Sequence, residues 1–464
     1  MPDRQRTFAI RTYGCQMNEH DSERLAGLLV ADGLVPAARL EDADVIVLNT
    51  CAIRENADHK LMGHLGELKA LRARNPGLQI AVGGCLAQMD PAKIRARAGH
   101  VDVVFGTHNL GAAPSLLRRA ADEGPLVEVL EGPSADADEL APALSAVRDV
   151  PWAAWMTIQT GCDNSCAFCI VPSVRGREVS RPMDDLVAEA RALAARGVVE
   201  LTVLGQNVNS YGRDLTKRRP LFAELLRALG DVEGIERIRF TSPHPKDLRD
   251  ETIAAMAEVP AVCEQLHLPL QSGSDRVLTG MRRGYTASRY LARLAAAREA
   301  IDDLAVTTDL IVGFPGETDA EFDETLAVVA QAQFDSAFTF EFSPRPGTRA
   351  AADPAAFVPA PVVKERFARL VEVVERSAVR RNEARVGRVE EVLVEGPSRK
   401  DPSTLTARTR QGKPVHFAAG AAEIPAGSFA DVAVVHGAPH HLLGELVGVT
   451  TAPRHRTRIP ITTR

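Results

Sequence analysis

Three cysteines, Cys15, Cys51 and Cys85, stand 36 and 34 residues apart, and each follows a short run with strand character. Phe8 to Tyr13 precedes the first, the apolar run Val45-Ile-Val-Leu48 the second, and Ile80-Ala-Val82 the third. Helix signals fill the intervals. Asp21 to Val30 carries Leu25, Leu28 and Leu29 on one face, and a polar stretch from Glu55 to Arg74 stops at Asn75-Pro76-Gly77. Val101 to Phe105 adds a fourth strand. Strands alternating with helices predict a doubly wound, parallel α/β domain. Parallel strands put their C-terminal ends on one edge, the edge where open α/β sheets bind ligands. The three cysteines are therefore expected to converge on a single rim, although free cysteine is also a common core residue. Gly14, Gly83 and Gly84 beside them are expected to let the backbone approach a bulky cofactor.

A second group is local. Cys162-Asp163-Asn164-Ser165-Cys166-Ala167-Phe168-Cys169 offers three soft ligands within eight residues and no fourth. A 4Fe–4S cube held by one cysteine per iron would keep one iron open for a small molecule. A structural zinc ion wants four closed ligands. No histidine lies between Pro151 and Ser180, so only a distant residue could complete a zinc site. Seven cysteines in 464 residues are sparse and odd in number, which argues against a disulfide framework.

The length suggests about three domains, and 45% hydrophobic with 25% charged residues is a globular composition. No apolar h-region follows Met1, and no stretch approaches the roughly 18 apolar residues of a membrane span, so a cytoplasmic protein without membrane contact is expected. The net charge of −6 allows a local basic face but not a wholly basic surface. After the α/β domain at 5–121, residues 122–150 read as an acidic linker: eight acidic groups and one basic group fall between 120 and 150. Residues 151–385 alternate again. Six strand candidates, Met156–Gln159, Glu200–Leu204, Ile235–Phe240, Gln265–Leu268, Val306–Ile311 and Ser336–Phe340, suggest a partial TIM-like (β/α)6 barrel. Thr318 and Glu321 form a capping box before an apolar stripe of Phe322, Leu326 and Val329. Five short β-like runs between 387 and 451 predict a small OB-like β-barrel, poor in stacking aromatics beyond Phe417 and Phe429. A basic tail at 452–464 has four arginines and no acid.

These residues resemble a known family. Thr12-Tyr-Gly-Cys15-Gln-Met-Asn18, Asn49-Thr-Cys51-Ala-Ile-Arg-Glu-Asn56 and Val82-Gly-Gly-Cys85-Leu-Ala-Gln88 are similar to the N-terminal domain of the methylthiotransferases. Gly161 to Pro172, with Arg175-Gly-Arg-Glu178, resembles their radical S-adenosylmethionine (SAM) loop, and the C-terminal barrel resembles the RNA-binding TRAM domain. Thr160 and Ser165 depart from the usual pattern, and neither is a ligand position. Leu204-Gly-Gln-Asn-Val-Asn-Ser-Tyr-Gly212, Phe240 to Pro245, His267 to Asp275 and Ser343 to Thr348 resemble the branch acting on isopentenyl-adenosine in tRNA.

The resemblance implies insertion of a methylthio group at ring position 2 of that nucleoside, at position 37 beside the anticodon. It implies two 4Fe–4S clusters, a radical-generating one on Cys162, Cys166 and Cys169 and an auxiliary one on Cys15, Cys51 and Cys85. SAM, the tRNA anticodon loop, an electron donor such as flavodoxin or ferredoxin, and a monomeric state complete the expectation. Gly205, Gln206, Asn207, Ser272 and Gly313 lie where strand ends would meet SAM, although each also fits an ordinary turn. Cys263 reads as a buried thiol, His244 and His267 as structural, and Arg282 and Arg283 as phosphate contacts or a solvated helix end. Two other functions stay open: a redox-sensing iron–sulfur RNA-binding protein, which has no need of an open iron, and an enzyme of the same kind acting on a protein side chain.

Overall fold

The computed structural model describes residues 5–52, 55–130, 146–148, 150–420 and 423–454, with 55–57 and 59 described in the backbone alone. Ile53 and Arg54 of the second cysteine motif, most of the acidic stretch and the tail from 455 lie outside the described residues.

The N-terminal strands are β1 (Thr7–Tyr13), β2 (Val35–Pro36), β3 (Val45–Thr50), β4 (Gln79–Gly84), β5 (Val103–Phe105) and β6 (Leu126–Glu128). They form one parallel sheet in the order β2-β1-β3-β4-β5-β6. Every residue of β3 and β4 is buried, as central parallel strands covered on both faces require. Leu61, Leu65 and Leu68 of the helix Glu55–Arg74 cover Ile46, Leu48 and Ile80. Leu25 and Leu29 of the helix Gln16–Ala31 cover Val45, Val47 and Ala81 on the other face. That helix starts five residues before the apolar pattern announces it, because Asn18 and His20 in its first turns are buried against polar partners. A further correction concerns the linker. Leu126–Glu128, expected within it, adds the edge strand β6 in register with β5. Averaging charge over thirty residues hid three that continue the sheet.

The central domain contains β7 (Ala153–Thr157), a two-stranded ribbon of β8 (Gln159–Thr160) and β9 (Val179–Ser180), then β10 (Glu200–Leu204), β11 (Arg237–Phe240), β12 (Gln265–His267), β13 (Ala305–Val312) and β14 (Ser336–Glu341). β7, β10 and β11 pair in parallel, as do β12, β13 and β14. Ile238 joins the two sets: its N–H donates to the Ala261 carbonyl at 2.7 Å and its carbonyl accepts from Cys263 N–H at 3.0 Å. The result is the expected open arc of six parallel strands. The Thr318–Glu321 capping box forms, and Phe322 and Val329 are buried.

The C-terminal strands β15 (Val389–Pro397), β16 (Thr404–Thr409), β17 (Pro414–Ala418), β18 (Phe429–Gly437) and β19 (Leu442–Thr451) close a barrel in the order β15-β16-β17-β19-β18. This barrel docks on the N-terminal ends of the core strands. Arg237, the first residue of β11, is fully buried and donates to the Arg408 carbonyl at 2.8 Å and to Glu391 Oε1 at 2.9 Å. Arg239 donates to the carbonyls of Thr409 and Arg410, while Arg410 pairs with Glu264 at 2.8 Å. Lys413 Nζ reaches Asp335 just before β14 at 2.7 Å. Loops after the core strands thus stay free at the opposite end. No helix among the described residues is long and apolar enough to cross a membrane.

Candidate functional site

The register of β1, β3 and β4 delivers the first cysteine group. Tyr13 is level with Thr50, and Thr50 with Gly84. Cys15, Cys51 and Cys85 follow these positions by one or two residues, so they emerge on one rim. Asn18 and Asn49, both buried, lock it. Asn18 Nδ2 donates to the Thr50 carbonyl at 3.2 Å, and Asn49 Nδ2 donates to the Asn18 carbonyl at 2.8 Å and to Ser22 Oγ at 2.9 Å. Sequence reasoning quoted both asparagines without assigning them this part. The glycines serve the packing of the rim itself. A Cβ at Gly83 would enter the Phe105 ring, and one at Gly84 would meet Asn49 and Thr50. A Cβ at Gly14 would stand 2.7 Å from Cys51 Cβ. These glycines admit close protein packing, and Gly84 also needs its φ of +95°.

Cys15 is the N-cap of the helix Gln16–Ala31. Its thiol is pulled down to about 6, first by a hydrogen bond from Cys51, against burial, and then by the Arg175 guanidinium and backbone donors. Burial dominates at Cys85 and pushes its thiol up.

The second group occupies the loop after β8. Gly161, at φ +77°, has no room for a side chain against the Arg177 carbonyl. Asp163 and Glu178 exchange backbone-to-carboxylate hydrogen bonds of 3.4 and 3.2 Å, and Lys246 Nζ donates to Asn164 Oδ1. Ala167 N–H donates to the Met281 carbonyl at 3.0 Å, and its carbonyl accepts from Ala350 N–H at 2.9 Å. Burial pushes Cys162 up to about 11 and Cys169 up to about 12. Arg283 is neither solvated nor placed for phosphate. It is buried, donates to Cys166 Sγ at 3.3 Å, and has Tyr285 and the Pro269 carbonyl as its other partners. Arg282 is exposed.

The segment that follows the second group reaches the first at the domain junction. The helix Val171–Arg175, which follows Cys169, packs Ile170 and Val174 against Ala52 and Cys85. Thr107 Oγ1 donates to the Val174 carbonyl at 2.6 Å, His20 Nδ1 lies 2.7 Å from Thr157 Oγ1, and Arg175 Nη2 donates to Asp21 Oδ2 at 2.6 Å.

The other expected site residues divide. Gly205, Gln206 and Asn207 follow β10 on the loop-bearing end, and Asn207 Nδ2 donates to Asp247 at 2.9 Å. Around them the buried atoms Gln206 Oε1, Asn207 Oδ1 and Gln159 Oε1 have no donor among the described residues. Three such acceptors suit a ligand rich in N–H or O–H groups. Ser272 and Gly313 are turned elsewhere. Ser272 Oγ lies 3.2 Å from Thr325 Oγ1, and a Cβ on Gly313 would meet Val363, so both serve helix docking. His244 is buried and held down to about 2 by desolvation, and Cys263 is a buried thiol, as expected. His267 is tied to the neighbouring strand, Nδ1 lying 2.9 Å from Thr307 Oγ1 and Nε2 3.5 Å from Asp309, with the ring edge-on to Phe338.

Among the described residues, no three His, Cys, Asp or Glu side chains gather closely enough for a single metal ion. A four-iron cube held by three cysteines takes one thiolate on each of three irons, so its ligands stand apart by the size of the cube. Two sets of three thiols, one with Arg283 on Cys166 and the other beside the helix that ends in Arg175, supply that donor chemistry.

Comparison with known proteins matches three family models in order. Residues 7–106 match the uncharacterized protein family UPF0004, 156–329 the radical SAM superfamily, and 383–447 the TRAM domain. Relatives named tRNA-2-methylthio-N(6)-dimethylallyladenosine synthase include one from Acidothermus cellulolyticus, 55% identical over 96% of this chain and 89% of that protein. One from Salinispora arenicola is 53% identical over 94% and 87%. Among solved structures, the radical SAM methyltransferase TsrM of Kitasatospora setae covers 75% of each chain with a TM-score of 0.52 at 14% identity, a likeness of fold.

Proposed function

Because this chain belongs to the family of tRNA-2-methylthio-N(6)-dimethylallyladenosine synthases, which carry a radical SAM domain, we propose that it places a methylthio group on ring position 2 of isopentenyladenosine at position 37 of tRNA. The observation that carries this reading is the packing of the helix after Cys169 against Cys85 and Ala52, which sets the loop of one three-cysteine set beside the sheet rim that bears the other. Cys162, Cys166 and Cys169 would hold the cluster with the open iron, and Cys15, Cys51 and Cys85 the auxiliary one. Once bound, the first cluster would supply the electron that cleaves SAM, chemistry that no side chain offers at an aromatic C–H bond.

The chain's own contribution is placement. Lys246, the Asp163–Glu178 exchange and the contacts of Ala167 fix the loop. Gln159, Gln206 and Asn207 offer acceptors to the donor groups of SAM. The substrate nucleoside would enter the concave face from the end opposite the barrel. An external one-electron donor of the flavodoxin or ferredoxin class, a monomeric enzyme and a cytoplasmic location complete the proposal. The test is mass spectrometry of tRNA nucleosides from a deletion strain. The methylthio nucleoside should vanish, its unthiolated precursor should accumulate, and the wild-type gene alone should reverse both. An unchanged nucleoside profile would refute the assignment.

A further inference from the structure

We propose that Arg175, with Asp21 as its counter-charge, is a positioning residue that sets the electrostatic environment of the N-terminal cysteine set from the neighbouring domain. The proposal rests on reading Cys15, Cys51 and Cys85 as ligands of a cluster.

Arg175 closes the short helix that follows Cys169, yet its side chain serves the other site. It crosses the junction, is only 7% exposed, and binds Asp21 at 2.6 Å. The helix it ends packs Val174 against Cys85, and its charge acts on both Cys85 and Cys15, favouring their thiolates. Asp21 belongs to the helix that Cys15 caps. A guanidinium has five N–H donors in a fixed fork, so one carboxylate leaves several for the sulfurs. Burying such a cation costs several kcal/mol, of order, unless it is paired. A tie between two domains could be made by apolar contact, as Ile170 and Val174 already do with Ala52 and Cys85. A buried cation against thiolates has a separate effect: it favours the more negative charge state of whatever they hold.

The contrast with the other site supports this. Arg283 donates to Cys166, but its remaining partners are neutral: the Tyr285 hydroxyl and the Pro269 carbonyl. Among the described residues, the guanidinium of Arg175 has a carboxylate within hydrogen-bond distance and that of Arg283 has none.

The deciding property is a reduction potential, since a purely structural tie would not move it in a charge-ordered way. Full-length protein would be reconstituted anaerobically with iron and sulfide and titrated potentiometrically by electron paramagnetic resonance. The N-terminal cluster is the signal that added SAM does not perturb. Arg175→Met should shift its midpoint downward, Asp21→Asn should shift it upward, and Arg175→Lys should move it less than Arg175→Met. Both Arg175→Met and Asp21→Asn break the same ion pair, so opposite signs require a charge effect. Shifts of the same sign, or no shift with iron retained, would overturn the proposal. Should Arg175→Met fail to hold iron, Asp21→Asn against Arg175→Lys carries the test, and loss of the same iron from Asp21→Asn would reduce the pair to a tie. Iron for one cluster only in the wild-type protein is a different failure: it removes the ligand reading itself.

Discussion

The two cysteine sets reach similar chemistry by opposite routes. Cys162, Cys166 and Cys169 are neighbours in sequence, held by a loop whose closure is local. Cys15, Cys51 and Cys85 are neighbours only because β1, β3 and β4 are adjacent and in register. The electrostatics differ as well. Burial raises Cys162 and Cys169, so without metal these two favour the thiol. A hydrogen bond from Cys51, helped by the Arg175 charge, lowers Cys15, so the N-terminal rim gives up a thiol proton more readily than the loop does. A loop motif depends on its spacing, whereas a strand-end site depends on the whole sheet and on a residue from another domain.

Separating the two sets chemically should have the largest effect. Changing Cys162, Cys166 and Cys169 together to Ala should abolish reductive SAM cleavage and leave about half the reconstituted iron, one of two cubes. Cys15→Ala should still cleave SAM to 5′-deoxyadenosine while making no methylthio product. Iron analysis and chromatography of the nucleoside products check both, and iron near zero in the triple variant would show that the sites are not independent.

Alkylation of the metal-free protein sharpens the electrostatic contrast. At pH 7 Cys15, lowered, should carry more thiolate than Cys162, raised, and should be modified faster. Its rate should be near maximal above pH 6 and fall as pH drops through about 6, where the thiolate is protonated. Peptide mass spectrometry with timed iodoacetamide reads this directly. Equal rates would erase the contrast.

Backbone substitutions come next. Gly84→Ala forces a side chain into Asn49 and Thr50 at a φ of +95°, costing about 2–4 kcal/mol. It should deplete N-terminal iron selectively. Gly33→Ala, at φ +91° with open space around it, should cost only about 1 kcal/mol and spare both sites. Urea denaturation and iron content distinguish them.

The smallest effect belongs to the barrel, which lies away from both sets. Its Arg388, Arg408, Arg410 and Lys413 are spent in ion pairs. Arg399 and Lys400 are exposed and have no ion-pair partner among the described residues. Changing both to Ala should weaken tRNA binding modestly and reduce the log–log salt slope by up to about two units. Removing the whole barrel is a poorer probe, since it strips Arg237 and Arg239 of their partners. An unchanged slope would place the RNA contacts elsewhere.

Much of this molecule is legible in its sequence because the signals are periodic. The helix Glu55–Arg74 and the strand Glu200–Leu204 appear with the bounds their patterns predict, since apolar spacing and stop residues act locally. The short edge strand β6 escaped, because three residues carry too little pattern to outweigh an acidic surrounding. Gly83 was visible as a glycine but not in purpose, since the Phe105 ring that excludes its Cβ lies on the next strand.

The sequence by itself determined the chemistry: which thiols exist, how the loop set is spaced, and that the other three follow strands. Tertiary structure decided what surrounds them. That Arg283 meets Cys166 across 117 positions and Arg175 meets Asp21 across 154 is invisible to any local pattern. Covalent spacing governs only near neighbours, while burial and charge act through space, so the electrical character of each site waits for the chain to close around it.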